Sequence, residues 1–275
     1  MLKNGLFSLL CAIVFLSCKR IDDPFISNVS ILGHAGMGHS SQYPMNSLES
    51  VLSAFALNVD GVEIDVQMTK DSVLIAYHEE QLQLNTTGSG WISENTWAAV
   101  SQAYFTDYPH AKYRIRTLDE IAAVVKNYPG AILNLDLKQL GPGTDEAYKQ
   151  RFVRKLNDFA SRMQLGERLV FSTADTALID LLHADNPYYK ILLYVNDMAA
   201  AKAYSKPGNV QGVLIRNSNV NSIEAEIVNQ SNWRLWVWAV RDAKDVRSAV
   251  AKKSNYIIAD NVRTVMKSVG RKKQD

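Results

Sequence analysis

Along the chain, short apolar runs alternate with stretches in which apolar residues recur every three or four positions. The apolar runs predict strands over 30–33, 61–66, 73–77, 131–135, 169–171, 191–194, 212–215, 235–238 and 256–258. Helical segments are predicted over 47–58, 118–127, 145–163, 176–185, 197–205, 223–229 and 243–252, with Leu118, Ile121, Ala122 and Val125 marking one apolar helical face. Strand–helix alternation predicts an α/β fold with parallel strands, and at this count a (β/α)8 TIM barrel. One strand is surplus. Only QMTKDS separates 61–66 from 73–77, too little for the crossover that parallel neighbours need. Segment 73–77 is therefore expected as an extra antiparallel hairpin strand after strand 2, turning at Lys70-Asp71. That turn would set Glu63 opposite His78.

Composition narrows the picture without changing it. The 275 residues are 47% apolar and 21% charged, with a net charge of +2. No basic stripe interleaved with aromatics is present, which excludes a nucleic-acid partner. The N-terminus is different in kind. Lys3 precedes an apolar run over 6–16, too short to span a bilayer, which ends in FLSC. This resembles a bacterial lipobox, so 1–18 is expected to be a lipoprotein signal peptide with Cys18 as the lipidated residue. An ordinary signal peptide with an incidental cysteine is the alternative. Residues 19–28 then form a tether and 29–275 a single barrel domain. With Cys11 removed and Cys18 acylated, no disulfide can form. The expected location is the bacterial cell envelope, periplasmic or surface-exposed, with the membrane reached only through the lipid anchor.

The chemistry gathers at predicted strand ends. VEID at 62–65 holds Glu63 and Asp65 on one strand face. Two carboxylates in an apolar strand are costly to bury unless paired or bound to a cation, and oxygen ligands point to a hard divalent ion. In ILNLDLK, Asp136 offers a third carboxylate and Lys138, two further on, a cation for an anionic substrate. His34 and His78, also at strand ends, have the ordinary pKa suited to giving and taking protons near neutrality. His39, His110 and His183 are taken as surface or loop residues.

The series HAG, PMNSL, GVEIDVQMTKDSVLIAYHEEQL, NTTGSGWI, RTLDEI, LNLDLK, VFSTAD, WVWAVRD and YIIADNV is similar in order and spacing to the glycerophosphodiester phosphodiesterase family. The resemblance implies a barrel that hydrolyses a P–O bond of glycerophosphodiesters with Mg²⁺ or Ca²⁺. It implies that Glu63, Asp65 and Asp136 hold the metal, that His34 and His78 act as base and acid, and that Lys138 contacts the phosphoryl group. It also implies that Trp238 lines the substrate pocket, and Asn46, which matches the family pattern, joins these two as a substrate-binding candidate. The substrate is expected to be a small-molecule or lipid-headgroup phosphodiester. Four positions depart from the pattern: Ala35 replaces an arginine, Met45 a glutamate, Asp136 a glutamate and Arg241 an asparagine. Loss of the arginine makes a non-catalytic phosphodiester- or metal-binding lipoprotein on the same barrel the alternative. A glycosidase fits poorly, because Glu63 and Asp65 lie on one strand instead of flanking a sugar.

Overall fold

The computed structural model describes residues 29–108, 112–138 and 141–271. The expected signal peptide, the tether, Cys18 and His110 lie outside the described residues. The strands are β1 (Ser30–His34), β2 (Gly61–Met68), β3 (Leu74–Ala76), β4 (Arg116–Thr117), β5 (Ile132–Leu137), β6 (Leu169–Thr173), β7 (Lys190–Val195), β8 (Gly212–Arg216), β9 (Arg234–Val240) and β10 (Tyr256–Ala259). β1 pairs in parallel with both β2 and β10, which closes the ring β1-β2-β5-β6-β7-β8-β9-β10. This is the expected TIM barrel.

The helices are α1 (Leu48–Phe55), α2 (Trp97–Val100), α3 (Leu118–Lys126), α4 (Glu146–Met163), α5 (Thr176–Asp185), α6 (Met198–Ala203), α7 (Ser222–Gln230), α8 (Ala243–Ala251) and α9 (Val262–Ser268). Their starts follow from local chemistry. Asp145, Asp175, Asp197 and Asp242 cap α4, α5, α6 and α8, and Thr117 and Asn221 form capping boxes with Glu120 and Glu224. Each cap accepts a first-turn N–H that would otherwise lack a partner. α4 turns Phe152, Leu156 and Phe159 fully inward, at ~1.5–3 kcal/mol of burial apiece. α2, α9 and the two-residue β4 were not among the predicted elements; α2 and β4 are too short to carry a period.

Period two divides the barrel strands between two cores. Leu32, Val170, Leu192, Leu214, Trp236 and Ile258 fill the ring interior, where Trp236 stacks on Tyr256 at 3.9 Å. The opposite parity, including Ile31, Val62, Ile64, Leu133 and Leu135, packs against the helices.

The hairpin exists, but its register differs from expectation. Val66 pairs with Ala76, Gln67 with Ile75 and Met68 with Leu74. Thr69 N–H donates to the Val73 carbonyl at 3.0 Å, and Ser72 has φ 65. The connection is thus three residues closed by a left-handed one, a common hairpin type, in place of a two-residue turn at Lys70-Asp71. Every pairing shifts by one residue. The ladder ends where Tyr77 N–H meets the Asp65 carbonyl at 3.0 Å, and His78 lies past it, not opposite Glu63.

Because β5 pairs with β2 as far as Val66, β3 must use the other edge of β2, beyond where β1 stops at Glu63. This carries the segment between β3 and β4 over the C-terminal mouth of the barrel. That segment has its own small core of Tyr77, Leu82, Ile92, Val100, Phe105 and Ile115.

A left-handed backbone costs a non-glycine residue roughly 1–2 kcal/mol. Ser72 carries that cost, and its hydroxyl has no hydrogen-bond partner among the described residues. Ser72→Gly is expected to gain up to about 1 kcal/mol after the larger unfolded-state entropy of glycine is offset, a rise in Tm of roughly 2 °C. Ser72→Val should melt earlier than the unmodified chain. Thermal unfolding that ranked the glycine variant least stable would contradict the turn described.

Candidate active site

A cavity of about 380 Å³ opens at the C-terminal end of the barrel, walled on one side by the strand ends and on the other by the segment after β3. Ring closure aligns its polar floor. His34 on β1 is in register with Glu63 on β2, and Asp65 is in register with Asp136 on β5. All four face inward by the parity that fills the barrel below them. Glu63, Asp65 and Asp136 thereby bring carboxylate oxygens within 4.8 Å of one another.

Each carboxylate is held differently. Glu63, 3% exposed, accepts the Ala35 backbone N–H at 3.0 Å and lies 3.8 Å from His34 Nε2. Burial and then the Asp65 charge push its carboxyl up to about 8. Asp65 grips Asn46 at both ends: the Asn46 amide donates to its carboxylate at 2.8 Å and accepts its backbone N–H at 3.0 Å. Burial works against the ionised form of Asp65. Lys138, the histidines and the Asn46 donor outweigh burial and hold its carboxyl below the usual range. Asp136 is pushed up by burial and by Asp65, against Lys138. Lys138 bridges the two aspartates, 2.5 Å from Asp136 and 3.2 Å from Asp65. Although burial opposes it, their charge keeps Lys138 firmly protonated.

Asn46, a substrate-binding candidate by sequence, is itself 2% exposed. Both its amide atoms are engaged by Asp65, so it acts as a positioning group for that carboxylate. Its left-handed backbone, φ 64, and its N–H bond to the Ala35 carbonyl at 2.9 Å lock the loop after β1 around Asp65.

His34 Nδ1 donates to Asp260 Oδ1 at 2.7 Å, which leaves Nε2 as the nitrogen on the Glu63 side. Burial lowers the His34 pKa, but the Asp260 bond and the charges of Glu63, Asp260 and Asp65 prevail and raise it to about 9. Asp260 did not stand out in the sequence. It follows β10 as Asp136 follows the start of β5, and the same strand-end logic finds it. His39, taken as a surface or loop residue, has its ring centroid 5.5 Å from that of His34 and lines the cavity. His78 also lines the cavity, half-exposed, with Nδ1 3.1 Å from Glu79 Oε1. Trp238 closes the far wall: its ring lies 6.3 Å from His34 and 6.1 Å from Tyr194, and Arg216 stands over it at 5.0 Å. Its indole N–H is buried with no acceptor among the described residues. Met45, Phe105 and Tyr108 make the outer lining largely apolar.

A family model described as the glycerophosphoryl diester phosphodiesterase family matches residues 37–264. The chain is similar to a glycerophosphodiester phosphodiesterase of Bacillus altitudinis, 24% identical over 211 residues, 70% of this chain and 81% of the relative. Another such enzyme, from Caldanaerobacter subterraneus subsp. tengcongensis, is 23% identical over 244 residues, 86% of this chain and 96% of the relative. Among solved structures, an Oleispira antarctica phosphodiesterase in complex with the product sn-glycerol-3-phosphate superposes with TM-score 0.77 at 20% identity, covering 88% of this chain and 96% of that one. A glycerophosphodiester phosphodiesterase from Parabacteroides distasonis gives TM-score 0.75 at 17% identity, with 88% and 97% covered. These structural likenesses establish the fold.

The His34–Asp260 pair has a pH signature. Because the folded His34 pKa of about 9 lies above the unfolded value of ~6.5, its stabilisation is complete below about pH 6.5. It is lost as pH rises through 9. In Asp260→Asn, burial should prevail and the His34 resonance, followed by NMR in chelator, should titrate at or below the ordinary histidine range. Titration still near pH 9 in that variant would remove Asp260 as the cause.

Proposed function

The chain belongs to the glycerophosphoryl diester phosphodiesterase family, enzymes of the phosphoric diester hydrolase class, and from this we propose how its residues carry the reaction. We propose that it hydrolyses a P–O bond of glycerophosphodiesters or a related polar phosphodiester, with a divalent cation at Glu63, Asp65 and Asp136 and with His34 and His78 as the acid–base pair. The observation that carries this is the convergence of three carboxylates within 4.8 Å beside a histidine already held by a fourth.

The donor set fits Mg²⁺ or Ca²⁺, both of which favour oxygen ligands. The Glu63 carboxyl, pushed up to about 8, marks a site with more negative charge than Lys138 and His34 neutralise. When bound, a divalent cation supplies polarisation of the phosphoryl oxygens and screening of their charge. The protein does the rest. Asp260 fixes the His34 tautomer so that Nε2 faces the reacting group, and Glu79 holds Nδ1 of His78 in the same manner. One imidazole takes the proton of the attacking oxygen, from water or a substrate hydroxyl. The other gives a proton to the leaving alcohol oxygen. Lys138 has three donors, two of them directed at Asp136 and Asp65, and the third serves a phosphoryl oxygen. The Trp238 N–H, buried without a partner, is a further donor for the substrate, and the apolar wall of Met45, Phe105 and Tyr108 receives the alcohol.

The test follows alcohol release from a panel of glycerophosphodiesters and bulkier phosphodiesters, with Mg²⁺ or Ca²⁺ and with chelator. Turnover should need the cation and fall by ~10²–10⁴ in His34→Ala and in His78→Ala. Full activity in chelator, or in either histidine variant, would defeat the assignment of that group. The lipobox-like FLSC ending at Cys18 further supports a membrane-anchored lipoprotein of a bacterial envelope. Metabolic labelling with a fatty acid should mark the protein and be lost in Cys18→Ser; equal labelling of the two would disprove it.

A further inference from the structure

A phosphodiester brings a negative charge into the cavity, whose basic lining residues are Lys138, His34, His39 and His78; Arg216 and Arg241 stand outside that lining, Arg241 beside it through Asp260. Lys138 bridges Asp65 and Asp136, and His34 is bound to Asp260. Ala35, fully buried, offers only its backbone N–H, and that goes to Glu63. Arg216 lies over the Trp238 ring, 5.0 Å from its centroid. Arg241 is different. Its Nε donates to Asp260 Oδ2 at 3.0 Å, and its backbone N–H to Asp245 Oδ2 at 3.0 Å. The side chain is fixed at both ends but 56% exposed, and its two terminal nitrogens have no acceptor among the described residues.

The backbone puts Arg241 there by a local irregularity. On β9, Leu235 and Val237 face the helices while Trp236 and Trp238 face the barrel interior. Simple alternation would send residue 240 inward and 241 outward. The pairing with β10 instead steps from Val237–Ile257 to Val240–Ala259, giving β9 one extra residue. Ala239 in this stretch has φ 61, and Val240 packs in the outer core with Leu235 and Val237. The bulge inverts the parity and brings Arg241 to the inner side, against Asp260. Bulges of this kind re-aim side chains beside active sites, and a left-handed alanine is strain that the surrounding structure must hold in place.

We infer that Arg241, turned inward by the β9 bulge and held by Asp260, is the guanidinium that binds the phosphoryl group of the substrate. The inference rests on the phosphodiesterase reading above and adds a specificity-determining residue to it. Asp260 thus serves two partners, with Oδ1 orienting His34 and Oδ2 orienting Arg241. The proton-transferring ring and the anion-binding fork share one rigid carboxylate. A planar guanidinium with Nε occupied still presents two terminal nitrogens to phosphoryl oxygens.

The experiment uses the full-length protein and compares steady-state kinetics of Arg241→Ala, Arg241→Lys, Arg216→Ala and the exposed surface control Arg247→Ala. Arg241→Ala should raise KM about 10- to 100-fold, the worth of one charged hydrogen-bonded contact, with a smaller change in kcat, a folded circular dichroism spectrum and a lower melting temperature from the partner that buried Asp260 loses. Arg241→Lys should fall between, and added guanidinium ion should restore part of the alanine variant's activity. Arg247→Ala should match the unmodified chain. In parallel, calorimetry measures binding of inorganic phosphate and sn-glycerol 3-phosphate, and Arg241→Ala should weaken both by a similar factor. A KM within twofold of the unmodified chain, or a loss seen in Arg216→Ala but not in Arg241→Ala, overturns the inference while leaving the phosphodiesterase reading intact. If the unmodified chain turns over no diester, that reading fails and calorimetry alone decides: weaker phosphate binding in Arg241→Ala upholds the inference, and unchanged or absent binding overturns it.

Discussion

Three carboxylates held within 4.8 Å of one another in a barrel interior repel, and each loses hydration that must be replaced. The rest of the site is the means by which that arrangement persists. Lys138 is shared by two of the three, Asn46 clasps Asp65 by both its carboxylate and its backbone N–H, and the Ala35 N–H donates to Glu63. At Glu63, burial and the neighbouring Asp65 charge outweigh its partners, and its carboxyl rises to about 8. The loop that supplies Ala35 and Asn46 begins directly after His34, the last residue of β1, so the acid–base group and the carboxylate supports are one piece of backbone. That loop takes left-handed conformations at Ala35 and Asn46, strain that is sustained because their backbone and side-chain bonds are all buried.

On the opposite flank, Asp260 has the organising part. Nearly fully buried at 2% exposure, it remains ionised because His34 and Arg241 are both bonded to it; burial opposes, and these two cations prevail. Its position follows from ring closure, since β1 lies between β2 and β10. The first and last strands of the barrel thus bring His34 and Asp260, 226 positions apart, into contact. The segment between β3 and β4 then roofs the mouth, adding His78 and an aromatic wall. The short antiparallel strand that introduces it takes the edge of β2 that β1 leaves free.

Much of the site was legible in the sequence because strand parity is a local property. Glu63 and Asp65 had to share a face, and Asp136 and Lys138 had to share another, whatever the barrel's closure. Besides Asp260 and His39, the hairpin register and the aim of Arg241 escaped. The hairpin register turned on one residue, Ser72, adopting a left-handed backbone, which no composition signal at QMTKDS announced. Arg241 was out of phase with Trp236 and Trp238 in the sequence and came inward only through the bulge at Ala239.

The sequence by itself determined the alternation of strands and helices, the aspartate, threonine and asparagine caps that start them, and the faces on which the carboxylates stand. These depend on the side-chain period and on bonds within a few residues of chain. Only the tertiary structure decided which strand ends meet: His34 with Asp260, Asp65 with Asp136, and Arg241 with the Asp260 carboxylate that also holds His34. Those pairings depend on the order of strands around a closed ring and on a one-residue insertion in one of them. Contacts between distant segments are set by packing the whole barrel, so no local pattern encodes them.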